Sequence, residues 1–404
     1  MQIKTYHIIF AAVCFLLSGM GMPLCGQGRD GSPRVFLLDA KTLSERKKNL
    51  SAPSLKPALD KLDSEAKKAL AVEVKPVTAK TITPPSGDKH DYMSQAPYFW
   101  KDPTKKDGLP YIRRDGERNP EILLLPDKTE LSRLVNTVQT LALGYYFTGK
   151  EEYAERSAKL LRMWFLDTKT KMNPNLQFAQ AIPGVNTGRG IGIIETHGLV
   201  NIVDSVGLIG TSASWTKNDQ AGMEDWFDKY LKWLTESKYG RDEAAAKNNH
   251  GTIYDVQVAS FALFTRNSDS AKRVLESSKQ NRIAKQVEPD GSQPLELART
   301  LSWNYSTMNL GGYVELARLG DVVGVDLWKF KTADGRGIRK AFEYLIPFAD
   351  GKKKWEHKQI QPLVGDRLYN QMRLARHKYT DDAFKSALAV SPEPPADARE
   401  RLVR

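Results

Sequence analysis

The feature that most constrains the fold is the helical spacing of apolar residues in the middle of the chain. Between Leu131 and Tyr145, apolar side chains recur every three or four residues, which places them on one face of a helix. A glycine at position 149 ends this pattern, and a second helix is predicted from Glu151. Alternating strand patterns are nearly absent, so the chain is predicted to be all-α, either an α/α toroid or a solenoid of helix hairpins. Further helices are predicted at about 59–70, 191–209, 220–236, 252–264, 270–285, 306–319 and 337–349.

The composition of the 404 residues excludes several classes of protein. Hydrophobic residues make up 41% of the chain, which is enough for a sizeable core and excludes a mostly disordered chain. The two cysteines cannot form a disulfide framework. Lysine and arginine (60) outnumber aspartate and glutamate (48), and the net charge of +12 indicates an anionic partner. Charge alone leaves nucleic acid, membrane and acidic polymer open.

The first 26 residues have the pattern of a signal peptide. Lys4 supplies a positive start, an apolar run covers residues 8–17, and Gly26 is a plausible cleavage position. The run is too short for a stable membrane span, although a retained anchor is an alternative. Lipoprotein processing at Cys25 is less expected, because Met-Pro-Leu precedes it instead of small residues. The sequence therefore predicts a periplasmic or secreted protein.

The remaining chain divides into two parts by composition. Residues 27–85 are rich in lysine, serine and proline and are predicted to be an N-terminal extension packed on the main body. Residues 86–404 contain most of the helical pattern and are predicted to form one helical domain. Length alone, at roughly 150 residues per domain, would suggest two or three domains.

The segment Asn248-Asn249-His250 precedes a long apolar stretch and has the features of a helix start. Either asparagine is a natural N-cap. His250 would then lie at the positive end of the helix dipole, where backbone N–H groups attract anions. An imidazole and an amide at this place make a good receptor for a carboxylate. The alternative is a capping asparagine pair and a histidine satisfied within the core.

A second pair of candidate residues is Arg299 and Tyr305. The guanidinium is a planar cationic fork for a carboxylate, and it can lower the pKa of a nearby phenol from about 10. Tyr305 is then a candidate base. Six residues of ideal helix would leave the two side chains about 120° apart, so one of them is predicted to lie on a loop or turn. The alternative is a structural Arg299–Glu296 pair and a core tyrosine.

Two irregular segments carry the remaining candidates. Residues 90–116 are rich in aromatics and arginine, which bind polymers by stacking and charge. Residues 173–197 contain polar groups that are predicted to line the same cleft, with a structural role as the alternative. The predicted substrate-binding residues are Tyr98, Gln180, Arg189, His197 and Trp303.

Several motifs are absent from the sequence. The six histidines show no HExxH or paired-histidine spacing, and no CxxC occurs, so no metal site is predicted. The glycines at 188–192 lack the Lys-Ser/Thr of a phosphate loop, and no GxSxG elbow occurs. No cofactor is predicted.

In combination, Asn-Asn-His, a downstream Pro-Leu-Glu-Leu-Ala-Arg and a tyrosine six residues after the arginine resemble the alginate lyase superfamily. The resemblance covers roughly residues 90–350. It implies an (α/α) toroid, an incomplete α/α barrel of antiparallel helix hairpins, with an active site of Asn249, His250, Arg299 and Tyr305. Some relatives have one more residue between the arginine and the tyrosine, and Ser-Tyr-Trp is common where this chain has Gly251-Thr252-Ile253. These departures concern the choice of substrate more than the type of reaction.

The resemblance implies a polysaccharide lyase that cleaves a 4-linked uronate polymer by β-elimination. Mannuronate-rich alginate is the first expected substrate, and glucuronan or another polyuronate is the alternative. Tyr305 would act as base and acid, while Asn249, His250 and Arg299 neutralise the carboxylate. A toroid glycoside hydrolase, which needs a carboxylate pair, and an exported non-catalytic binder are the rival functions. The expected partner is an anionic polysaccharide, not nucleic acid or membrane, and no oligomeric state is predicted.

Overall fold

A computed structural model describes residues 32–404, so the predicted signal peptide at 1–26 lies outside the described residues. The α-helices are α1 (Ala40–Lys48), α2 (Lys56–Leu70), α3 (Asp127–Thr148), α4 (Glu151–Leu161), α5 (Leu199–Ile209), α6 (Lys217–Glu236), α7 (Lys238–Ala244), α8 (Asn249–Phe264), α9 (Ser268–Ser278), α10 (Ala284–Gln286), α11 (Pro294–Leu297), α12 (Ser302–Val323), α13 (Ile338–Ala349), α14 (Asp366–Ala375), α15 (Asp382–Ala389) and α16 (Glu400–Val403). The strands are β1 (Met93–Gln95), β2 (Phe99–Trp100), β3 (Ile112–Arg113) and β4 (Phe178–Ala181). Short 3₁₀ helices cover Val77–Ala79, Pro120–Leu124 and Gly190–Thr196, and π-helical turns cover Arg162–Leu166 and Lys279–Ile283.

The helices form the predicted α/α toroid of antiparallel hairpins. Helix α3 ends at Gly149, whose φ of 71° is the left-handed conformation that glycine adopts readily at a helix end, and α4 begins two residues later. Helix α3 packs against α2, α4 and α5, while α8 packs against α6, α9 and α12. Their apolar faces share one hydrophobic core. The prediction of an all-α fold is confirmed.

Helix α8 lies at the centre of this packing. Every residue of α8 is buried except His250, which is partly open. The helix is buried on all sides although it carries polar residues such as Asp255 and Gln257, as expected of a helix surrounded by other helices. In the first turn of α8, the His250 ring therefore lies at the edge of the buried core.

Two predicted helices differ from the observed ones. The stretch predicted at 191–209 begins as the 3₁₀ helix Gly190–Thr196, and α5 starts only at Leu199. Glycine lowers α-helix propensity, and a Cβ at Gly192 would meet Ala179 at 2.4 Å. The stretch predicted at 270–285 is broken by the π-helical turn Lys279–Ile283.

The segment Gly190–Ile209 is, among the described residues, the one stretch long and apolar enough to cross a membrane by length and composition. Two-thirds of it (67%) is buried inside the protein. Burial of this kind is typical of a core helix in a helical domain, so the hydropathy of the segment reflects its packing.

The N-terminal segment packs along the helical body. The Asp204 carboxylate on α5 accepts hydrogen bonds from the backbone N–H groups of Phe36, Leu37 and Leu38, at 2.7, 3.0 and 2.7 Å. Arg34 donates to two carbonyl oxygens at the end of α8. Helix α2 packs on α3. These contacts tie residues 34–70 to the core.

Four short strands pair within and between the irregular segments. Strand β1 pairs with β4 in parallel, with Met93 opposite Phe178. Strands β2 and β3 form an antiparallel pair, with Phe99 opposite Arg113. The two segments that carry the predicted polymer contacts are thereby joined.

Candidate active site

The site is built on the first turn of α8. Asn248 is the N-cap, and its side-chain oxygen accepts from the backbone N–H of His250 at 3.3 Å. The His250 side chain is 16% exposed, and its Nδ1 lies 2.7 Å from Oε1 of Glu243 on α7. His250 is therefore held by a carboxylate and is open on another side, unlike a histidine satisfied within the core.

Asn249 is bound to a second buried glutamate. Its backbone N–H and its Nδ2 donate to the two carboxylate oxygens of Glu296 at 2.7 and 2.6 Å. Burial raises the pKa of Glu296, and the two hydrogen bonds from Asn249 offset this only in part. Asn249 is completely buried, and its Oδ1 has no partner among the described residues. Direct binding of a substrate carboxylate by Asn249, as the sequence predicted, is not what this arrangement favours.

Arg299 and Tyr305 meet as predicted, from a turn and a helix. Arg299 lies in the turn between α11 and α12, while Tyr305 lies in the first turn of α12. The guanidinium Nη2 donates to the phenol oxygen at 2.8 Å, and its carbon lies 3.8 Å from the ring centroid. The prediction that the two residues do not share one helix is confirmed.

The carboxylate partner of Arg299 is Asp115, not Glu296. Arg299 donates to both carboxylate oxygens of Asp115, at 2.7 and 3.1 Å. Burial alone would raise the pKa of Asp115, but the hydrogen bonds from Arg299 and Thr300 hold it well below its usual range. Asp115 therefore stays ionised and fixes the guanidinium against the phenol ring.

Tyr98 is the other neighbour of the phenol. Its hydroxyl lies 3.0 Å from that of Tyr305. Burial and the contact with Tyr98 raise the pKa of Tyr305 well above 10, although the charge of Arg299 acts in the opposite direction. The charge of Arg299 lowers the pKa, as the sequence indicated, but desolvation outweighs it, so the net shift is upward. Tyr305 is therefore a neutral phenol in the free protein at neutral pH.

Gln180 and Arg189 lie beside this cluster. Arg189 donates to the backbone oxygen and to Oε1 of Gln180, at 3.1 and 2.9 Å, and its guanidinium lies over the Phe99 ring. Gln180 has φ of 49°, an unusual conformation for a residue other than glycine. The charge of Arg189 acts on that of Glu243, so the pair lies near the carboxylate that holds His250.

Two predicted contacts lie outside the cluster. Trp303 is 1% exposed, its Nε1 donates to the backbone oxygen of Val364, and its ring packs edge-on against Trp355. The prediction that Trp303 binds the substrate is wrong, since the ring belongs to the core. His197 pairs with Glu315, which lies ten residues and about 15 Å along α12 from Tyr305. We therefore give His197 no role in the site.

The sequence reasoning missed three carboxylates, Asp115, Glu243 and Glu296. Asp115 is 184 residues from Arg299 in the chain, so spacing carries no signal for their contact. Glu296 was considered as a partner of Arg299, and its contact with Asn249 was not predicted. Within residues 32–404, no group of three histidine, cysteine or acidic side chains is placed to hold a metal ion.

The family comparison agrees with this geometry. The model of the family described as alginate lyase matches residues 76–355, which include all four predicted catalytic residues. The chain belongs to the alginate lyase family. It is thus a polysaccharide lyase, as the sequence resemblance implied. No curated protein matches the chain.

Solved alginate lyases share the fold of this lyase. An alginate lyase from Bacteroides ovatus is 38% identical, with a TM-score of 0.88, over 92% of this chain and 99% of the other. Alginate lyase A1-III from Sphingomonas species A1 is 17% identical, with a TM-score of 0.57, over 95% and 99% of the two chains. A histidine-to-alanine variant of A1-III, complexed with a tetrasaccharide, is 15% identical with a TM-score of 0.56, over 90% and 98%.

Proposed function

We propose that this lyase cleaves a 4-linked uronate polymer, with mannuronate-rich alginate as its first substrate, by β-elimination at Tyr305. The observation that carries the proposal is the contact of the Tyr305 hydroxyl with the Arg299 guanidinium at 2.8 Å, with Arg299 and His250 both acting on the charge of Glu296. A tyrosine beside a fixed cation can lose its proton to solvent, take a proton as the phenolate and return it as the phenol. The alginate lyase from Bacteroides ovatus, similar over nearly the whole chain, supports the choice of polymer.

Tyr305 performs the proton transfer in this scheme. Its oxygen takes the proton from C5 of the uronate, the bond between C4 and the glycosidic oxygen breaks, and a C4–C5 double bond forms. The same phenol returns a proton to the departing oxygen. Because burial raises the pKa of Tyr305, the phenolate forms only with the support of Arg299, whose position Asp115 fixes through two hydrogen bonds.

His250 and Arg299 neutralise the uronate carboxylate. A C5 proton is hard to remove while the adjacent carboxylate keeps its full negative charge, so stabilising the enolate-like intermediate lowers the barrier. Arg299 uses Nε and Nη2 within the protein, and its Nη1 has no hydrogen-bond partner among the described residues. Asn249 has a positioning role, since it anchors the start of α8 to Glu296.

The single phenol favours mannuronate. In mannuronate and glucuronate the proton and the leaving oxygen lie on the same side of the ring, so one residue serves as base and acid. In guluronate they lie on opposite sides, and His250 would then have to act as the base. Glucuronan is thus the second candidate substrate.

A hydrolase mechanism has less support from the site. It needs two free carboxyl groups on either side of the glycosidic bond. Asp115 is bound to Arg299, and Glu296 is bound to Asn249. Glu243 is bound to His250. All three nearby carboxylates are therefore engaged, while the phenol is in contact with a cation.

A screen of polymers tests the proposal. Mannuronate-rich, guluronate-rich and glucuronate polymers are digested, and ultraviolet absorbance of the new double bond is measured together with reducing ends. We expect both signals to rise in parallel, fastest on the mannuronate-rich polymer. Reducing ends without absorbance would contradict the lyase reaction. We also propose that the protein acts outside the cytoplasm, which fractionation of cells that express the full chain would check.

A further inference from the structure

A buried glutamate holds the ring of His250. Oε1 of Glu243 lies 2.7 Å from Nδ1 of His250, and Glu243 is only 2% exposed. The His250 ring is the partner that reaches the open edge of the site, with 16% of its side chain exposed. Glu243 itself therefore has no route to the substrate except through the histidine.

The helix that carries Glu243 is fixed on both sides. Helix α7 is capped by Ser237, whose hydroxyl oxygen accepts from the backbone N–H of Gly240. The Tyr239 hydroxyl donates to the backbone oxygen of Gly188 at 2.8 Å. Gly190 packs so closely that an added Cβ would meet the backbone of α7 at 2.7 Å. The position of the Glu243 carboxylate is thus set by backbone contacts and not by a mobile surface side chain.

The contact determines which nitrogen of His250 faces the site. An ionised carboxylate only accepts hydrogen bonds, so Nδ1 must carry a hydrogen. Nε2, on the opposite side of the ring, is then the nitrogen left for a ligand. Glu243 also acts electrostatically on Arg189 and Tyr254, and His250 acts on Glu296. No other carboxylate is hydrogen-bonded to the ring among the described residues.

We propose that Glu243 is a positioning residue of the elimination reaction. It keeps the hydrogen on Nδ1, presents Nε2 to the uronate carboxylate, and stabilises the imidazolium that forms when the ring lies between two carboxylates. The second proton comes from solvent, and no covalent bond is made. This inference rests on the proposed function, because it gives His250 the carboxylate of a uronate as its ligand.

The kinetic test is Glu243→Gln, which keeps the shape of the side chain and removes its charge. We expect kcat to fall by about 10- to 100-fold, the range for groups that orient a ligand through another residue. KM should rise by less than about threefold, since the lost interaction is stronger in the transition state than in the ground state. An unchanged kcat would overturn the proposal.

The protein contains a matched control. His197 and Glu315 form a second pair with the same separation of 2.7 Å, outside the cluster of Tyr305. Glu315→Gln makes the same chemical change there, and we expect kcat to stay at the wild-type value. Equal losses in the two variants would mean that such pairs act only on folding, which would also overturn the proposal.

A spectroscopic signature separates positioning from stability. Nitrogen NMR of the histidine rings, with His250 assigned by its loss in His250→Gln, reports which nitrogen carries the hydrogen. We expect Nδ1 to be protonated in the wild type, and the proton to move to Nε2 in Glu243→Gln, because the glutamine amide can donate to Nδ1. If Glu243→Gln lowers kcat and the melting temperature but leaves the hydrogen of the His250 ring on Nδ1, the role of Glu243 is merely structural.

Failure of the proposed function would look different. The ring measurement is made on the free enzyme, so it reports the Glu243 contact whatever the substrate is. Substantial turnover by Tyr305→Phe would contradict the proposed function while leaving the ring result standing. The two claims can therefore fail separately.

Discussion

Two histidine–glutamate pairs lie near helix α12, one beside its start and one further along it, and different residues surround the two pairs. We call the surroundings of His250 and Glu243 the first region, and those of His197 and Glu315 the second region. His250 and Glu243 lie beside the start of α12, where Arg299 contacts the Tyr305 phenol. His197 and Glu315 lie about 15 Å further along the helix, and both pairs have the same 2.7 Å separation. The separation within a histidine–glutamate pair therefore does not identify the active site. The phenol of Tyr305 beside the fixed guanidinium of Arg299 is the feature that distinguishes it.

The second region also contains a carboxylate that supports the fold. Asp204 lies near Glu315, since both act on the charge of Arg318, and it accepts three backbone N–H groups of the N-terminal segment. In the first region, Asp115 binds the side chain of Arg299, which contacts the phenol. Asp115 therefore orients a group of the site, whereas Asp204 holds a distant segment of the chain. Mutations in the two regions should consequently affect different quantities.

The largest effect is expected from Tyr305→Phe. Without the hydroxyl there is no group to take the C5 proton, so kcat should fall by about 10⁴-fold, the upper end for a positioned acid–base group. Polymer binding, measured by isothermal titration calorimetry, should stay near the wild-type value. No turnover by either protein, together with a weaker affinity of Tyr305→Phe for the polymer, would instead favour the non-catalytic binder.

The next largest effect is expected from Arg299→Lys. Lysine keeps the charge but cannot bind Asp115 through two nitrogens and also reach the phenol, so kcat should fall by about 10²- to 10³-fold. Asp115→Asn weakens the hydrogen bonds that hold the Arg299 guanidinium but leaves the phenol in place, so kcat should fall by about 10- to 100-fold. Initial rates of ultraviolet absorbance measure both variants. A larger loss of kcat for Asp115→Asn than for Arg299→Lys would contradict the proposal that Asp115 acts on the phenol through Arg299.

A smaller effect concerns pH. Burial and Tyr98 raise the pKa of Tyr305 above its usual value, so the phenolate fraction is small at neutral pH and grows as pH rises. The value of kcat/KM should accordingly increase, by up to about tenfold per pH unit, on the alkaline side of neutrality. In Tyr98→Phe the rise should move to lower pH, because one cause of the raised pKa is gone. A rise that stays in place or moves to higher pH would contradict this reading of the Tyr98 contact.

The smallest effect on rate is expected in the second region. Asp204→Ala leaves three backbone N–H groups without their acceptor, which should lower the free energy of unfolding by about 3 kcal/mol. At a temperature where the variant is still folded, kcat should be unchanged. Chemical denaturation and steady-state kinetics on the same preparation test both statements. A loss of kcat in the folded variant would contradict the separation of the two regions.

The sequence was sufficient for the fold class and for part of the site. Helical spacing predicted α3, α6, α8 and α13 to within a few residues, because their apolar faces repeat along the chain. The geometry of an ideal helix also predicted that Arg299 and Tyr305 come from different elements. These are local properties, and local sequence determines them.

Contacts between distant segments could not be predicted in this way. Asp115 reaches Arg299 across 184 residues, and only the packing of the β2–β3 segment against the α11–α12 turn brings them together. Trp303 was assigned to substrate because the sequence does not tell which aromatic rings of α12 face the core. The raised pKa of Tyr305 was missed for a related reason, since burial is a property of the assembled fold.

Mass spectrometry of the fragments from a mannuronate tetrasaccharide tests the central claim most directly. Wild-type protein and Tyr305→Phe are incubated with the same substrate. We predict that each cut by the wild type yields one saturated fragment and one unsaturated fragment that is lighter by one water molecule than the hydrolysis product, and that Tyr305→Phe yields almost no unsaturated fragment. Saturated fragments alone, or unsaturated fragments in equal amount from both proteins, would contradict elimination at Tyr305.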